Sequence, residues 1–570
     1  MASEENQMKL KNLLSIGALL LFGLAAAGPQ TAPTPAPAVV IHGDTNRDGR
    51  LDETDINGRQ AWSWESGPFI MANLDDDDHS GLPDAHDQIV NGRADEADLA
   101  KFRVLIDPSL ITGTTEIFVE ASGQRRLRPG RWTKRQTSGG GIPVNVFQQS
   151  GDGWIFIDAD TPLSLSGTAP LVLGVEAKTF AGVGGWDGML RLWVSVRTGG
   201  TTIAEDFAEA RVAPWLMLPN SAPTRTLYIA TGDYDNSAMI REMSGILPRW
   251  SVAFPPPHPV ANWREMWVQD TVEIGYTEIP GGGRMHVVLN GIRGADSFGP
   301  TLLGPDIGVI TVGSVRDLKG HDAWADWFGN LEVSHPTDQF PMGRIYYGIN
   351  TISGVGLHPE IVAFLEAQVL QKPFWVDTSW LGIKHVDEIF NVIPGKDGRG
   401  MVIMGSPEAA SALTGRPLDD FNRGIQDSLN RMLRGGIYEI AGDKVDYPGI
   451  ISLLGMDESR FIRLPVLFSP VSVDKASARP GAHSRWSNPV NSVFLNGNVL
   501  IGSATMPADV QSEIAARLRA GGVREVVFID DRIYHDRWGN VHCATNTLRE
   551  PPAGGFWTRM PAKASPGFQP

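Results

Sequence analysis

Hydrophobic positions change their rhythm along this chain. From about residue 102 to 212 they form short runs rich in β-branched and aromatic residues, at 144–147, 154–157, 171–173 and 190–194, parted by Gly, Ser and Asp. Regular short strands with turn residues between them predict a β-sandwich. From about Pro214 short apolar strands (227–230, 287–289, 309–312, 526–529) alternate with helical segments at 360–370, 418–433 and 508–520. The last helix follows Pro507, and proline suits a helix start. This pattern predicts an α/β region of roughly 350 residues, too long for one ordinary sheet and open to closure as a barrel or propeller.

The N-terminus has another character. Lys9 and Lys11 precede an apolar run over 13–27 that ends Ala25-Ala26-Ala27-Gly28. A basic start, a run of this length and small residues at its end describe a secretory signal peptide over 1–28. The run falls short of the roughly 20 apolar residues of a membrane span, so an uncleaved anchor is the alternative. Residues 29–38, with Pro among Ala and Thr, predict a stiff linker. The expected domains are then a β-sandwich over 39–212 and the α/β region over 213–570. The expected location is secreted or in the cell envelope, with no stable membrane insertion once the signal is removed.

Composition narrows the class. With 42% hydrophobic and 20% charged residues in 570, the chain is neither wholly disordered nor a polytopic membrane protein. A net charge of −16 argues against nucleic acid as a partner. A single cysteine excludes an internal disulfide framework and any multi-cysteine zinc site.

The acidity is concentrated. Between Asp44 and Asp98 stand 12 Asp and 3 Glu against 4 Arg and no Lys, a net −11. Asp44, Asn46, Asp48, Gly49, Asp52 and Asp55 fill positions 1, 3, 5, 6, 9 and 12 of a calcium loop, and Asp76, Asp78, Ser80, Gly81, Asp84 and Asp87 fill them again. Alternate oxygen ligands let a chain curl around Ca²⁺, and Gly at position 6 permits the sharp turn. The position-12 residue is Asp in both, which shortens the reach and departs from helix–loop–helix geometry. A solvated acidic surface is the alternative reading.

Candidate chemistry lies in separated segments. The sole cysteine, Cys543, sits among His542, Thr545 and Asn546, after the apolar strand at 526–529. A lone cysteine is often a small buried hydrophobe, but polar neighbours argue against an inert core site. A nucleophilic cysteine requires a thiolate and a positioned acid/base. The alternating triplet His385-Val386-Asp387 predicts a strand with both polar residues on one face. Residues 267–276 predict an extended chain on which Asp270, between Val268 and Val272, is buried and paired with a cation. Two carboxylates, a histidine and a thiol form a kit for attacking a guanidinium: carboxylates grip its N–H fork and the thiol attacks its carbon.

These segments closely resemble the protein-arginine deiminases, bacterial-type members of the guanidine-modifying pentein superfamily. The resemblance is an ordered series over about residues 40–557: Arg211-Val-Ala-Pro-Trp215, Trp267-Val-Gln-Asp270, Gly304-Pro-Asp306, Phe328-Gly-Asn-Leu-Glu-Val333, His385-Val-Asp-Glu388 and His542-Cys-Ala-Thr-Asn546. The chain is expected to lack the additional N-terminal immunoglobulin-like domain of the animal enzymes. The resemblance implies an immunoglobulin-like, calcium-binding middle domain followed by a five-bladed α/β propeller. It implies Cys543 as nucleophile, His385 as general acid/base, and Asp270 and Asp387 as guanidinium ligands. Trp267 matches a residue lining the substrate channel, while Arg293 and Arg537 match arginines that contact a peptide backbone. Asn73, Asp75 and Asp77, with Asp84, Asp87, Asp95 and Asp98, match calcium ligands, one residue out of register with the second loop.

In the family, one further ion beside the active site is held by residues matching Gln269, Glu273, Phe328, Leu331 and Glu332. A second such ion uses acidic residues where this chain has Thr271 and Val288 or Leu289, so one ion is expected there. The implied activity is calcium-dependent hydrolysis of peptidyl-arginine to peptidyl-citrulline and ammonia through a thiouronium on Cys543, with arginine-containing proteins or peptides as partners. Deimination of free arginine or agmatine, and an inactive secreted calcium-binding adhesin-like module, are the alternatives.

Overall fold

Strand pairing in the first half follows the alternation of its sequence. The computed structural model describes residues 37–122, 143–158, 160–163, 170–261, 265–292, 298–472 and 480–560. The expected signal and nearly all of the linker lie outside the described residues. A five-stranded antiparallel sheet runs in the order Val39–Gly43, Ala100–Ile106, Leu171–Ala177, Val144–Ser150, Gly153–Phe156. A four-stranded sheet runs Phe69–Ile70, Thr201–Val212, Met189–Thr198, Thr115–Ser122. Along Ala100–Val104 and Asp206–Val212 buried residues alternate with more exposed ones, as a period of two requires. Ile41, Phe102, Val104, Leu173 and Val175 of one sheet share a core with Ile117, Val119, Leu192, Val194 and Ala208 of the other. The whole acidic segment is the excursion between two neighbouring strands, Val39–Gly43 and Ala100–Ile106.

Beyond Val212 the same pairing pattern occurs five times. In each unit one strand pairs antiparallel with a second, which pairs parallel with a third. The strands are Val272–Glu278, Arg284–Asn290 and Ile307–Thr311; Leu331–Val333, Ile345–Ile349 and Phe374–Asp377; Phe390–Pro394, Gly400–Ser406 and Phe461–Pro465; and Val493–Leu495, Asn498–Gly502 and Val526–Ile529. The fifth unit joins the two ends of the region: Thr545–Arg549 pairs with Thr224–Thr231, which pairs with His258–Pro259. Arg549 locks this closure, because its buried guanidinium donates to Thr224 Oγ1 (2.8 Å), Asn220 Oδ1 (2.8 Å) and the Phe494 carbonyl (2.8 Å).

The parallel step in a unit needs a crossover, which a helix usually supplies. Helices Ser237–Ile246, Pro359–Ala367, Asp420–Arg434 and Ala508–Gly521 lie in these crossovers. Asp419 caps the third by accepting from the Asn422 N–H at 2.8 Å, and Ile425, Leu429, Met432 and Leu433 form its buried stripe. Apolar packing continues from the two sheets into the first and second units. Phe180 and Trp215 both meet Phe364, at 6.1 and 5.6 Å between ring centroids, and Trp215 Nε1 donates to the Val287 carbonyl at 3.0 Å. No helix among the described residues is long and apolar enough to cross a membrane.

Candidate active site

Every unit is preceded by a turn carrying polar side chains: Val268–Thr271, Phe328–Asn330, Val386–Glu388, residues 488–491 and Val541–Ala544. These five lead-in turns meet at one buried centre. Two expectations are corrected by their geometry. Residues 268–271 form one helical turn before the strand at Val272, and 386–388 form a 3₁₀ turn after an extended His385. Lys384 enters that turn at φ +68°, with its ammonium donating to the carbonyls of Ser379 and Leu381 at 2.7 and 2.9 Å. Convergence of the polar side chains therefore comes from turns, where closure of the units sets direction, and not from strand alternation.

Cys543 is 1% exposed. Its thiol donates to Asp387 Oδ2 at 3.3 Å and accepts from Asn491 Nδ2 at 3.0 Å. Asp387 Oδ2 also accepts from Asn491 Nδ2 (2.8 Å) and meets His542 Nδ1 (3.0 Å), while its Oδ1 is buried without a hydrogen bond. Asp270 is buried as expected, and among the described residues no guanidinium or ammonium pairs with it. Its Oδ1 accepts the Gly329 N–H at 3.1 Å and lies 3.6 Å from His385 Nδ1. The other ring nitrogen, His385 Nε2, meets the Trp324 carbonyl at 3.0 Å. A Cβ added to Gly329 would stand 2.6 Å from Asp270 Oδ1, 2.6 Å from His385 Nδ1 and 3.4 Å from Asp387 Oδ2. Gly329 therefore marks where these three side chains converge.

Burial governs the charges. It pushes Asp270 well above the usual carboxylate range, and nearby Asp387 adds to the rise. Cys543 is pushed well above a free thiol by burial, Asp387 and Asp270. Burial lowers His385 against the pull of Asp387, so its imidazole is held neutral.

Beside this centre a cavity of about 30 Å³ is lined by Gln269, Glu273, Glu332, His542, Asn546 and Arg549, among others. Gln269 Nε2 donates to Glu273 Oε2 at 2.9 Å and reaches toward the Phe328 carbonyl at 3.5 Å, while its Oε1 accepts from Asn546 Nδ2 at 3.0 Å. Leu331 opens the strand carrying Glu332. His542 Nε2 lies 3.3 Å from Glu332 Oε1. Burial and the Glu332 charge raise Glu273 to about 8, and burial raises Glu332 to about 7 against the pull of His542. His542 rises to about 9 despite burial, because Glu332 and Asp387 hold its proton.

The acidic segment forms turns closed by its own carboxylates. Asp44 accepts from the N–H groups of Asp48 (3.2 Å) and Gly49 (2.9 Å), Asn46 Oδ1 accepts from Asp48 N–H (2.9 Å), and Gly49 takes φ +81°. Asp52 caps a short 3₁₀ turn, and Asp55 is buried. The second segment forms two carboxylate clusters. Asp76, Asp78 and Asp84 bring carboxylate oxygens within 4.8 Å of one another, and so do Asp75, Asp77 and Asp98. Asn73 Nδ2 donates to Asp95 Oδ1 (3.0 Å) and Glu176 Oε2 (2.8 Å). Asp87 is half-buried and accepts the Ile89 N–H at 2.8 Å. The buried Oδ1 atoms of Asn73, Asp75 and Asp84 have no hydrogen bond. Burial raises Asp75 to about 7, Asp84 to about 8 and Asp98 to about 9. Oxygen-only clusters with orphaned buried acceptors fit a hard cation such as Ca²⁺.

Trp267 is buried edge-on to Tyr534, with 5.6 Å between ring centroids, and its neighbourhood includes Cys543. Arg537 is exposed, with Nη1 donating to the Ile533 carbonyl at 2.9 Å. Arg293 lies outside the described residues. Sequence reasoning missed Asn491, which bridges Cys543 and Asp387, and Glu176. It missed the role of Asp306 too, whose N–H donates to Asp75 Oδ2 at 3.0 Å from the α/β region. The available signal was positional: 487–491 (Ser-Asn-Pro-Val-Asn) stands before its apolar strand much as the Cys543 segment stands before its own.

The sequence family described as Protein-arginine deiminase (PAD) matches residues 202–424 and 450–558, more than half of the chain. The chain belongs to the protein-arginine deiminase family. It is similar to protein-arginine deiminase type-1 of Mus musculus, at 26% identity over 91% of this chain and 82% of that one. It is also similar to protein-arginine deiminase type-4 of Homo sapiens, at 24% identity over 94% and 85%. Among solved structures, C. jejuni agmatine deiminase covers 60% of this chain and 98% of its own at 12% identity and TM-score 0.38.

Proposed function

We propose that this protein hydrolyses the guanidinium of peptidyl-arginine to peptidyl-citrulline and ammonia, and that calcium is required. The observation that carries the reading is the meeting of Asp270, His385 and Asp387 around Gly329, with the Cys543 thiol on Asp387. The orphaned Asp387 Oδ1 supplies an acceptor for a guanidinium N–H. Asp270 and Asp387 grip the guanidinium and hold its central carbon toward Cys543. The bound cation draws the raised thiol toward thiolate, and the released proton is taken up by His385, whose imidazole is neutral before substrate binds. The thiolate adds to the carbon, the C–N bond to one terminal nitrogen breaks, and His385 delivers the proton that lets it leave as ammonia. His385 then takes a proton from water, which attacks the S-alkylthiouronium; the C–S bond breaks and returns the thiol with the citrulline product.

Gln269, Glu273, Glu332 and the Phe328 and Leu331 carbonyls would hold one ion next to Asp270. A bound Ca²⁺ supplies positive charge that offsets the buried carboxylates. The position of the absent second ion supports a count of one: Thr271 Oγ1 donates to the Val268 carbonyl at 2.9 Å, and Val288 and Leu289 are buried apolar residues. Further ions fall to the loops at 44–55 and to the clusters at 73–98. The immunoglobulin-like and propeller architectures, and secretion directed by residues 1–28, belong to the same proposal. Citrulline and ammonia release from a blocked arginine amide, with and without calcium, tests the activity. Turnover of free arginine but not of the blocked amide would overturn the peptidyl assignment.

A further inference from the structure

Leading away from catalytic His385 is a row of half-buried rings. Trp327 lies 6.2 Å from the His385 ring, Trp324 stacks on Trp327 at 6.0 Å and 27°, and Trp538 meets Trp324 edge-on at 6.2 Å. His321 stacks on Trp324 at 4.1 Å, and His483 stacks on Trp538 at 6.0 Å. The row is tied to the reacting centre at two points: the Trp324 carbonyl meets His385 Nε2 at 3.0 Å, and Trp327 packs against the cluster that includes Trp267 and Cys543. Trp538 is held at φ +74°, a left-handed conformation disfavoured for a bulky residue. Such backbone strain persists only where the surroundings impose it, and it concentrates at functional sites. Gly539 allows the arrangement, since a Cβ there would stand 2.4 Å from the Trp267 ring.

Trp327, Trp324 and Trp538 are each only partly buried, and apolar ring surface left in water is recovered when a ligand covers it. We propose that Trp327, Trp324 and Trp538 form a binding site for an aromatic side chain next to the target arginine of a polypeptide substrate. Continuity with His385 places the occupant on the same molecule as the reacting guanidinium. The occupant is aromatic because its ring can meet the row face-on or edge-on, as the rings of the row meet one another. The inference rests on the peptidyl-arginine reading and adds a preference within it.

Binding and turnover are measured separately, so that the two readings fail separately. Calorimetry on full-length Cys543→Ser, in calcium, compares blocked peptides carrying Phe or Gly on either side of one arginine. One of the phenylalanine peptides is expected to bind about tenfold more tightly than its glycine counterpart. In Trp324→Ala and in Trp538→Ala that ratio is expected to fall to within about twofold of one. Equal binding of all peptides, or a ratio that survives both substitutions, overturns the aromatic site. Binding with the preference intact but no citrulline formed by the wild-type chain would overturn the deimination reading and leave the site standing.

Discussion

The Cys543 thiol donates to Asp387 Oδ2 at 3.3 Å, so the proposed nucleophile and a proposed guanidinium ligand are in contact before any substrate arrives. A carboxylate that must grip a cation is meanwhile occupied with a thiol, an asparagine and His542. Arrival of a guanidinium replaces these contacts and brings a positive charge to a thiol that burial keeps protonated.

Thiol chemistry reads this directly. Iodoacetamide should label Cys543 at pH 7 far more slowly than it labels a free cysteine, with the rate rising at pH above the ordinary thiol value of about 8.5. A haloacetamidine, whose cation can sit between Asp270 and Asp387, should react faster than iodoacetamide at the same pH. Mass-spectrometric labelling rates decide it, and neutral iodoacetamide reacting like a free thiol at pH 7 would contradict the resting geometry.

Gly329 offers a steric test. A methyl group there would press within 2.6 Å of Asp270 Oδ1 and His385 Nδ1, atoms of buried groups with little room to retreat. Gly329→Ala should cost on the order of 10²-fold in kcat/KM, since small misplacements of reacting groups carry losses of that size. Steady-state kinetics beside a circular dichroism melt would separate this from unfolding. Activity within about threefold of wild type would show the three side chains to be less closely set than the structure has them.

Local structure was legible where periodicity decides it. The strand at 526–529 and the helix found at Asp420–Arg434 stand where their apolar spacing puts them. The turns at 268–271 and 386–388 were misread as extended, because a short apolar–polar alternation is shared by strands and by turns whose direction tertiary closure sets. Which turns meet is a property of five closed units, and no local window contains it. Asn491 illustrates this: within its own segment it reads as a loop residue, and only the fold puts it between Cys543 and Asp387.

Asp270 can be probed at constant size. Its carboxylate is buried, accepts the Gly329 N–H and faces His385, and among the described residues no guanidinium or ammonium pairs with it. Asp270→Asn should therefore lower kcat/KM by about 10²-fold or more, as loss of one member of a buried ion pair does. In the substrate-free chain the melting temperature should stay the same or rise, because the substitution removes an uncompensated buried acid. A clear loss of stability with kinetics unchanged would make Asp270 a structural carboxylate.

Calcium and pH should act on stability in opposite directions. Without metal, Glu332 and Asp75 titrate near 7, Glu273 and Asp84 near 8 and Asp98 near 9, all far above their unfolded values near 4. A carboxyl whose folded pKa is raised keeps its proton in the native state after the unfolded state has released it. Stability therefore falls as pH rises from about 4 toward the folded values. His542 adds the same sign: raised from about 6.5 to about 9, its contribution is complete below 6.5 and is lost as pH climbs through 9. In a strong chelator the melting temperature should thus decline steadily between pH 5 and pH 9. Calcium binds the ionised oxygens, so the stabilisation it confers should grow over the same interval. Melting curves at several pH values, with chelator and with millimolar calcium, measure both trends. A chelated chain equally stable at pH 5 and pH 8, or a calcium shift larger at pH 5 than at pH 8, would mean that these carboxylates do not form the metal-binding clusters.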